Sequence, residues 1–256
     1  MSSSAQARFE KDQVADYEKR RYRGLDQKIV HAREVRILKR LLEQAGRFSP
    51  EEGQLPPLVL DAPCGYGRFS GLLLGRGFRL LSSDLSFHMV KRAVERTGQP
   101  PSAAGLVSNL TLGIPVRDKA VRAVFSMRFF HHLRDREDRR AALAEFGRVA
   151  SGFVILSYYQ TNALHVIQRK IRRVLKPNKR RISMIPRREF VEDAQAAGLE
   201  PVRIVPLFRG IHSQQIALLR PKSSEAPHLS ETRAHMNHGR NRFIAGNEFG
   251  EKNPRR

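Results

Sequence analysis

Residues 58–70 read Leu58-Val59-Leu60-Asp61-Ala62-Pro63-Cys64-Gly65-Tyr66-Gly67-Arg68-Phe69-Ser70, and this stretch decides the fold. Leu58 to Leu60 is an apolar run too short for a helix, bounded by Pro57 and Asp61, which predicts a buried strand. Gly65-x-Gly67 follows and opens a helix expected over about 67–75. Glycines at such a turn let the backbone fold tightly and approach a ligand with no Cβ in the way. Seventeen residues past Gly67 a second strand, Phe78 to Ser82, leads to Asp84. An acid at that place can accept hydrogen bonds from both ribose hydroxyls of an adenosine. Two ligand classes remain open on this pattern, a dinucleotide and S-adenosylmethionine. Ser70 stands where a dinucleotide turn usually has a third Gly or Ala. Asp61 is an awkward neighbour for two phosphates and a suitable one for an ammonium and a sulfonium.

Outward from this turn, strands and helices alternate. A helix is expected over 86–97, a weak strand near Leu106 and a strand from Val121 to Met127. A helix over 136–149 and a strand from Phe153 to Tyr158 come next. That order implies a parallel sheet covered on both faces. Upstream, Val30, Val35, Leu38, Leu41, Leu42 and Ala45 recur at helical spacing until Gly46. Downstream, a basic amphipathic segment spans 162–175, and a helix opens at Pro186 and ends at Gly198. Pro201 to Leu207 and Gln214 to Leu219 then read as a closing strand pair. Residues 222–256 hold few aliphatics, so disorder is the expectation there.

The 256 residues carry 47 Lys and Arg against 25 Asp and Glu, a net charge of +22. Segment sums show where it sits: residues 19–40 carry +7, residues 146–188 carry +11, and the tail 222–256 only +3. A single cysteine excludes an internal disulfide and any Cys-rich zinc site. No stretch is apolar enough for a transmembrane helix, and the acidic start lacks the apolar core of a signal peptide. The expectation is a cytoplasmic protein, peripheral at a membrane surface if its basic blocks meet lipid headgroups.

Asp61 to Arg68 resembles the first motif of class I S-adenosylmethionine-dependent methyltransferases, and Ser83-Asp84-Leu85-Ser86-Phe87-His88-Met89 resembles their second. Gly113-Ile114-Pro115, Ala123 to Ser126 and His131-His132-Leu133 are similar to the fourth-strand region of the subgroup that includes small-molecule and quinone methyltransferases. The likeness spans about 55–220. Two departures stand out: Arg122 where the family often has Asp, and Ser151-Gly152 where it usually has Gly-Gly.

The resemblance implies a Rossmann-like, doubly wound α/β fold with a mostly parallel seven-stranded sheet. Residues 1–50 would form an N-terminal helical extension, 51–221 the methyltransferase domain and 222–256 a disordered tail. It implies S-adenosyl-L-methionine as cofactor, held at its methionine end by Asp61, Gly65 and Gly67. Asp84 would take the ribose, Leu85 and Asn109 would face the adenine, and Met127 and Arg128 would lie beside the sulfonium. The alternative role for Asp84 is a helix cap, and Cys64 reads as a small buried residue rather than a nucleophile.

Methyl transfer draws much of its rate from orienting donor and acceptor, and a base matters only where the acceptor must lose a proton. His131 and His132 are the candidate catalytic residues, with Tyr158 and Tyr159 comparable. Ser126-Met127-Arg128-Phe129 replaces the Asn/Asp-Pro-Pro-aromatic tetrapeptide of amino-group methylation, which disfavours that chemistry. Cytosine-C5 chemistry is excluded, since Cys64 is the only cysteine. The resemblance puts the N-terminal helical segment and the segment after the fifth strand, 162–186, beside the acceptor opening. Those are the two basic blocks, so the expected acceptor is a small or lipid-like, anionic molecule. An RNA substrate, or an anionic membrane surface met through 19–40 and 146–188, is the alternative, and a non-catalytic basic binding module the third reading.

Overall fold

The computed structural model describes residues 25–46, 55–97, 102–161, 183–210, 212–222 and 242–244. Eight strands form one sheet in the order β6-β7-β5-β4-β1-β2-β3-β8. They are β1 (Leu58–Asp61), β2 (Arg79–Asp84), β3 (Ala103–Val107), β4 (Val121–Ser126), β5 (Ala150–Tyr159), β6 (Leu199–Pro206), β7 (Gln214–Pro221) and β8 (Arg242–Ile244). Five helices are described: α1 (Leu25–Ala45), α2 (Ser70–Leu74), α3 (Phe87–Thr97), α4 (Arg136–Val149) and α5 (Arg187–Ala196).

Strands β1 to β5 run parallel, β7 is antiparallel to both β5 and β6, and β8 is antiparallel to β3. The expected seven-stranded sheet is present, and the short β8 extends its edge from within residues 222–256. The rest of that tail lies outside the described residues, as does the basic helical segment of 162–175.

Successive strand residues point to opposite faces, and here both faces are covered. Val59, Leu80, Ala123, Phe125, Phe153 and Ile155 meet α1 and α2 on one side. Leu60, Leu81, Val124, Val154 and Leu156 meet α4 and α5 on the other. Ile37, Leu38, Leu41, Leu42 and Ala45 of α1 are buried in the same cluster as the sheet, so α1 shares the domain core.

Two element starts differ by three residues from the sequence expectation. The helix after the glycine turn starts at Ser70 rather than 67, because residues 62–69 are used up as turn. Strand β5 starts three residues earlier than expected, at Ala150, and follows α4 directly.

The chain runs β1, β2, β3 in one direction across the sheet and then returns to place β4 and β5 on the other side of β1. The crevice beyond the carboxyl ends of β1 and β4 is therefore the topological switch point, where open α/β sheets bind ligands.

Candidate active site at the switch point

Asp61 ends β1 and Asp84 ends β2. The Asp84 carboxylate spans two loops: Oδ2 accepts the Gly65 N–H at 3.1 Å and Oδ1 accepts the Ser86 N–H at 3.0 Å. Ser86, not Asp84, serves α3 as its cap, for its Oγ accepts the Met89 N–H and its carbonyl the Val90 N–H. Helix capping therefore does not account for Asp84.

The glycine turn spends its own donors internally. Cys64 N–H goes to the Ser83 carbonyl, Gly65 N–H to Asp84, Gly67 N–H to the Cys64 carbonyl and Ser70 N–H to the Gly67 carbonyl. A pyrophosphate needs such donors pointed at it. With these four committed and two acids alongside, the turn does not fit a dinucleotide.

Gly65 and Gly67 both have positive φ, +53° and +76°. A Cβ on Gly67 would sit 3.1 Å from the Ala93 Cα, so this glycine also permits α3 to pack under the turn. Cys64 is buried, donates its thiol to the Gly65 carbonyl, and has its pKa pushed up by burial and by Asp84 and Asp61.

Burial, with the nearby Asp84 adding repulsion, raises the Asp61 pKa to about 8. Asp84 is raised too, mainly by burial, against the opposing pull of its backbone hydrogen bonds. Two carboxylates at one crevice with raised pKa values call for a positively charged ligand. An ammonium and a sulfonium would satisfy Asp61, and ribose hydroxyls would find acceptors on Asp84. The residues present thus fit S-adenosylmethionine.

Leu85 lies half-buried in the loop after β2. Asn109 follows β3, where its Oδ1 accepts the Thr111 N–H and hydroxyl, so that oxygen is committed locally. Met127 is buried in the cluster beneath α1. Arg128 adopts φ +59°, a left-handed conformation uncommon outside glycine, and its N–H donates to Ser157 Oγ at 2.7 Å. Its side chain turns to α1, where Nε donates to Glu34 Oε1 at 3.0 Å.

Glu34 is a site residue that the sequence reading missed. Its carboxylate is fully buried and accepts from Arg68, Arg128 and Gln214, which follow β1, follow β4 and open β7. Arg68 also donates to His31 Nδ1 at 3.2 Å, and burial and Arg68 lower the His31 pKa. The signal was there: Val30, Glu34 and Leu38 recur every four residues, which puts an acid in the buried stripe of α1.

Beyond the ends of β4 and β5 the structure gathers His131, His132 and Tyr159, with ring centroids 3.9 Å and 5.1 Å from His131. His212 joins them at 6.1 Å from Tyr159, an addition from the loop before β7. The Gln214 N–H donates to His212 Nδ1, so the neutral ring carries its proton on Nε2. Ser183 N–H donates to the His131 carbonyl and Ile185 N–H to the Tyr159 carbonyl, so the chain returns beside this cluster. Tyr158 is set apart: it is fully buried, stacks on Phe190 at 4.0 Å and has its pKa raised by burial. Such a phenol is core, not a base.

The two departures noted in the sequence touch each other. A Cβ on Gly152 would lie 2.9 Å from the Arg122 guanidinium carbon, so the glycine makes room for that side chain.

The fold is that of the class I S-adenosylmethionine-dependent methyltransferases. Residues 60–156 match the family model described as "Methyltransferase domain". Over 99 residues the chain is 38% identical to a malonyl-[acyl-carrier protein] O-methyltransferase of Hamiltonella defensa subsp. Acyrthosiphon pisum (strain 5AT). That stretch is 38% of this chain and spans only 36% of the relative's length. Magnesium protoporphyrin IX methyltransferase from Synechocystis PCC 6803, solved with bound SAH, superposes with a TM-score of 0.68 at 19% identity, covering 86% of this chain and 99% of that one. Geranyl diphosphate C-methyltransferase from Streptomyces coelicolor A3(2) gives 0.52 at 18% identity, covering 74% and 79%. S-adenosylmethionine is the cofactor of this class. Among the described residues no helix is long and apolar enough to cross a membrane.

Proposed function

We propose that this protein transfers a methyl group from S-adenosyl-L-methionine to a small or lipid-like, anionic acceptor. The observation that carries the reading is the pair of acids, Asp61 and Asp84, that end β1 and β2 beside the glycine turn at the switch point, with Asp84 accepting the Gly65 N–H. Asp61 and the Gly65–Gly67 backbone hold the methionine end, Asp84 the ribose, and Leu85 and Asn109 the adenine. Asn109 offers its amide NH2, since its oxygen is spent on Thr111. Met127 and the Arg128 backbone border the sulfonium. When bound, the cofactor supplies an electrophilic methyl, and the chain's task is to orient the acceptor toward it.

His131, His132, Tyr159 and His212 bind and orient that acceptor. For an acceptor such as a carboxylate, already ionised at neutral pH, these side chains donate hydrogen bonds and need take no proton. The malonyl group named for the Hamiltonella relative is an acceptor of that kind, and the excess positive charge of 19–40 and 146–188 supports it. The test is calorimetry with S-adenosylmethionine, followed by labelled cofactor in fractionated cell extract. Absence of cofactor binding would leave a non-catalytic binding module, and label in RNA would make the substrate a nucleic acid.

A further inference from the structure

We propose that Glu34 is a positioning residue that sets how strongly the site prefers the cationic methyl donor over its neutral product; this rests on the cofactor reading above. Glu34 is 0% exposed and forms ion pairs with Arg68 and Arg128, whose side chains are 12% and 14% exposed. Gln214 Nε2 donates to the same oxygen as Arg128, at 2.9 Å. His31, beside Arg68, has its pKa lowered by burial and by Arg68, which disfavours a third positive charge there. Among the described residues Glu34 is the acid paired with both arginines, so Glu34→Gln removes one negative charge from beside them.

The strand register puts that charge next to the crevice. Asp61 pairs with Phe125 across β1 and β4, and the Ala62 N–H donates to the Phe125 carbonyl. Arg128 lies three residues past Phe125, and Arg68 one residue past Gly67, so both arginines stem from the loops after β4 and β1 and reach from there to Glu34. S-adenosylmethionine carries a sulfonium, whereas S-adenosylhomocysteine, left after transfer, carries a neutral thioether. The two share every other group. A change of electrostatic potential at the sulfonium acts on the first and spares the second, while a packing change acts on both.

The experiment is calorimetric titration of both ligands into wild type, Glu34→Gln, Arg128→Met and the Glu34→Gln/Arg128→Met double variant. Glutamine keeps the shape and the hydrogen-bond acceptor and removes only the charge. One unit charge near the sulfonium, partly screened, is worth about a tenfold change in affinity. Glu34→Gln is expected to lose about tenfold for S-adenosylmethionine and to hold S-adenosylhomocysteine within about twofold. The double variant is expected to recover the donor. Equal losses for both ligands, with the wild type binding both, overturn the inference and leave the cofactor reading standing. A wild type that binds neither overturns the cofactor reading and the inference with it. If Glu34→Gln does not fold, Arg128→Met decides: its donor-to-product preference should rise, and an unchanged or lower ratio overturns the proposal.

Discussion

The fully buried carboxylate of Glu34 meets the Arg128 guanidinium at 3.0 Å, joining the first described helix to the end of the fourth strand across 94 residues of sequence. The same carboxylate holds Arg68 and Gln214. Truncating one member of a buried, hydrogen-bonded ion cluster leaves the others without compensation. Glu34→Ala should lower unfolding free energy by about 3–5 kcal/mol, measured by urea denaturation. It should also loosen α1, read as faster amide exchange along Ile37 to Leu42.

The two glycines of the turn should behave differently. Gly67→Ala meets both a positive φ and the Ala93 backbone 3.1 Å away, so it should destabilise by about 2–3 kcal/mol. Gly65→Ala meets only the positive φ, with nothing within 4 Å of the added Cβ, and should cost about 1–2 kcal/mol. Thermal melts of the two variants make the comparison, and equal losses would remove α3 packing as the reason for Gly67.

Cofactor affinity should depend on the protonation of Asp61. Its pKa is about 8, raised by burial first and by Asp84 second. A bound cation favours the carboxylate and lowers that pKa, so binding near neutral pH releases a proton. Affinity should therefore rise with pH up to about 8 and level off above it. Calorimetry in buffers of different ionisation enthalpy counts the protons released. Asp61→Asn should bind weakly and without the pH dependence.

Asp84 combines its proposed ligand role with a structural one, since it accepts from Gly65 and Ser86 at 3.1 and 3.0 Å. Asp84→Asn keeps one acceptor oxygen and should lose about tenfold in cofactor affinity, while Asp84→Ala should lose about a hundredfold or more. A fluorescence or calorimetric titration reads the difference, and wild-type affinity in Asp84→Ala would remove the residue from the site.

Asp193 supplies the contrast. It is 1% exposed and accepts from Arg136 and Arg140 of α4, at 2.7 and 2.8 Å, fastening α5 to the opposite face of the sheet. Asp193→Ala should destabilise the fold by about 2–4 kcal/mol and leave cofactor affinity at wild type. A denaturation curve and a titration on the same sample check both halves.

The glycine turn, its two acids and the alternation of strands and helices were all readable because each is set by neighbours in sequence. A strand of three apolar residues, a turn that needs positive φ and an acid closing the next strand are local requirements. Cys64 was legible for the same reason, as a small residue under a tight turn. Arg128 was readable as a position but not as a contact, because its partner lies on a helix 94 residues upstream. Glu34 looked like one of two acids in a basic segment, and His212 like a residue of a polar loop. Nothing local distinguishes either.

By itself the sequence determined the β-α alternation, the parallel sheet and the position of the glycine turn between two acids, since periodicity and backbone restriction act over a few residues. Only the tertiary structure decided that four of the turn's N–H groups are spent within the protein, that Tyr158 belongs to the core while Tyr159 joins His131 and His212, and that one buried glutamate pairs with arginines from the loops after β1 and β4. Those outcomes depend on burial and on charges brought together from distant segments. Desolvation makes an ion pair matter, and it exists only once the sheet has closed around it.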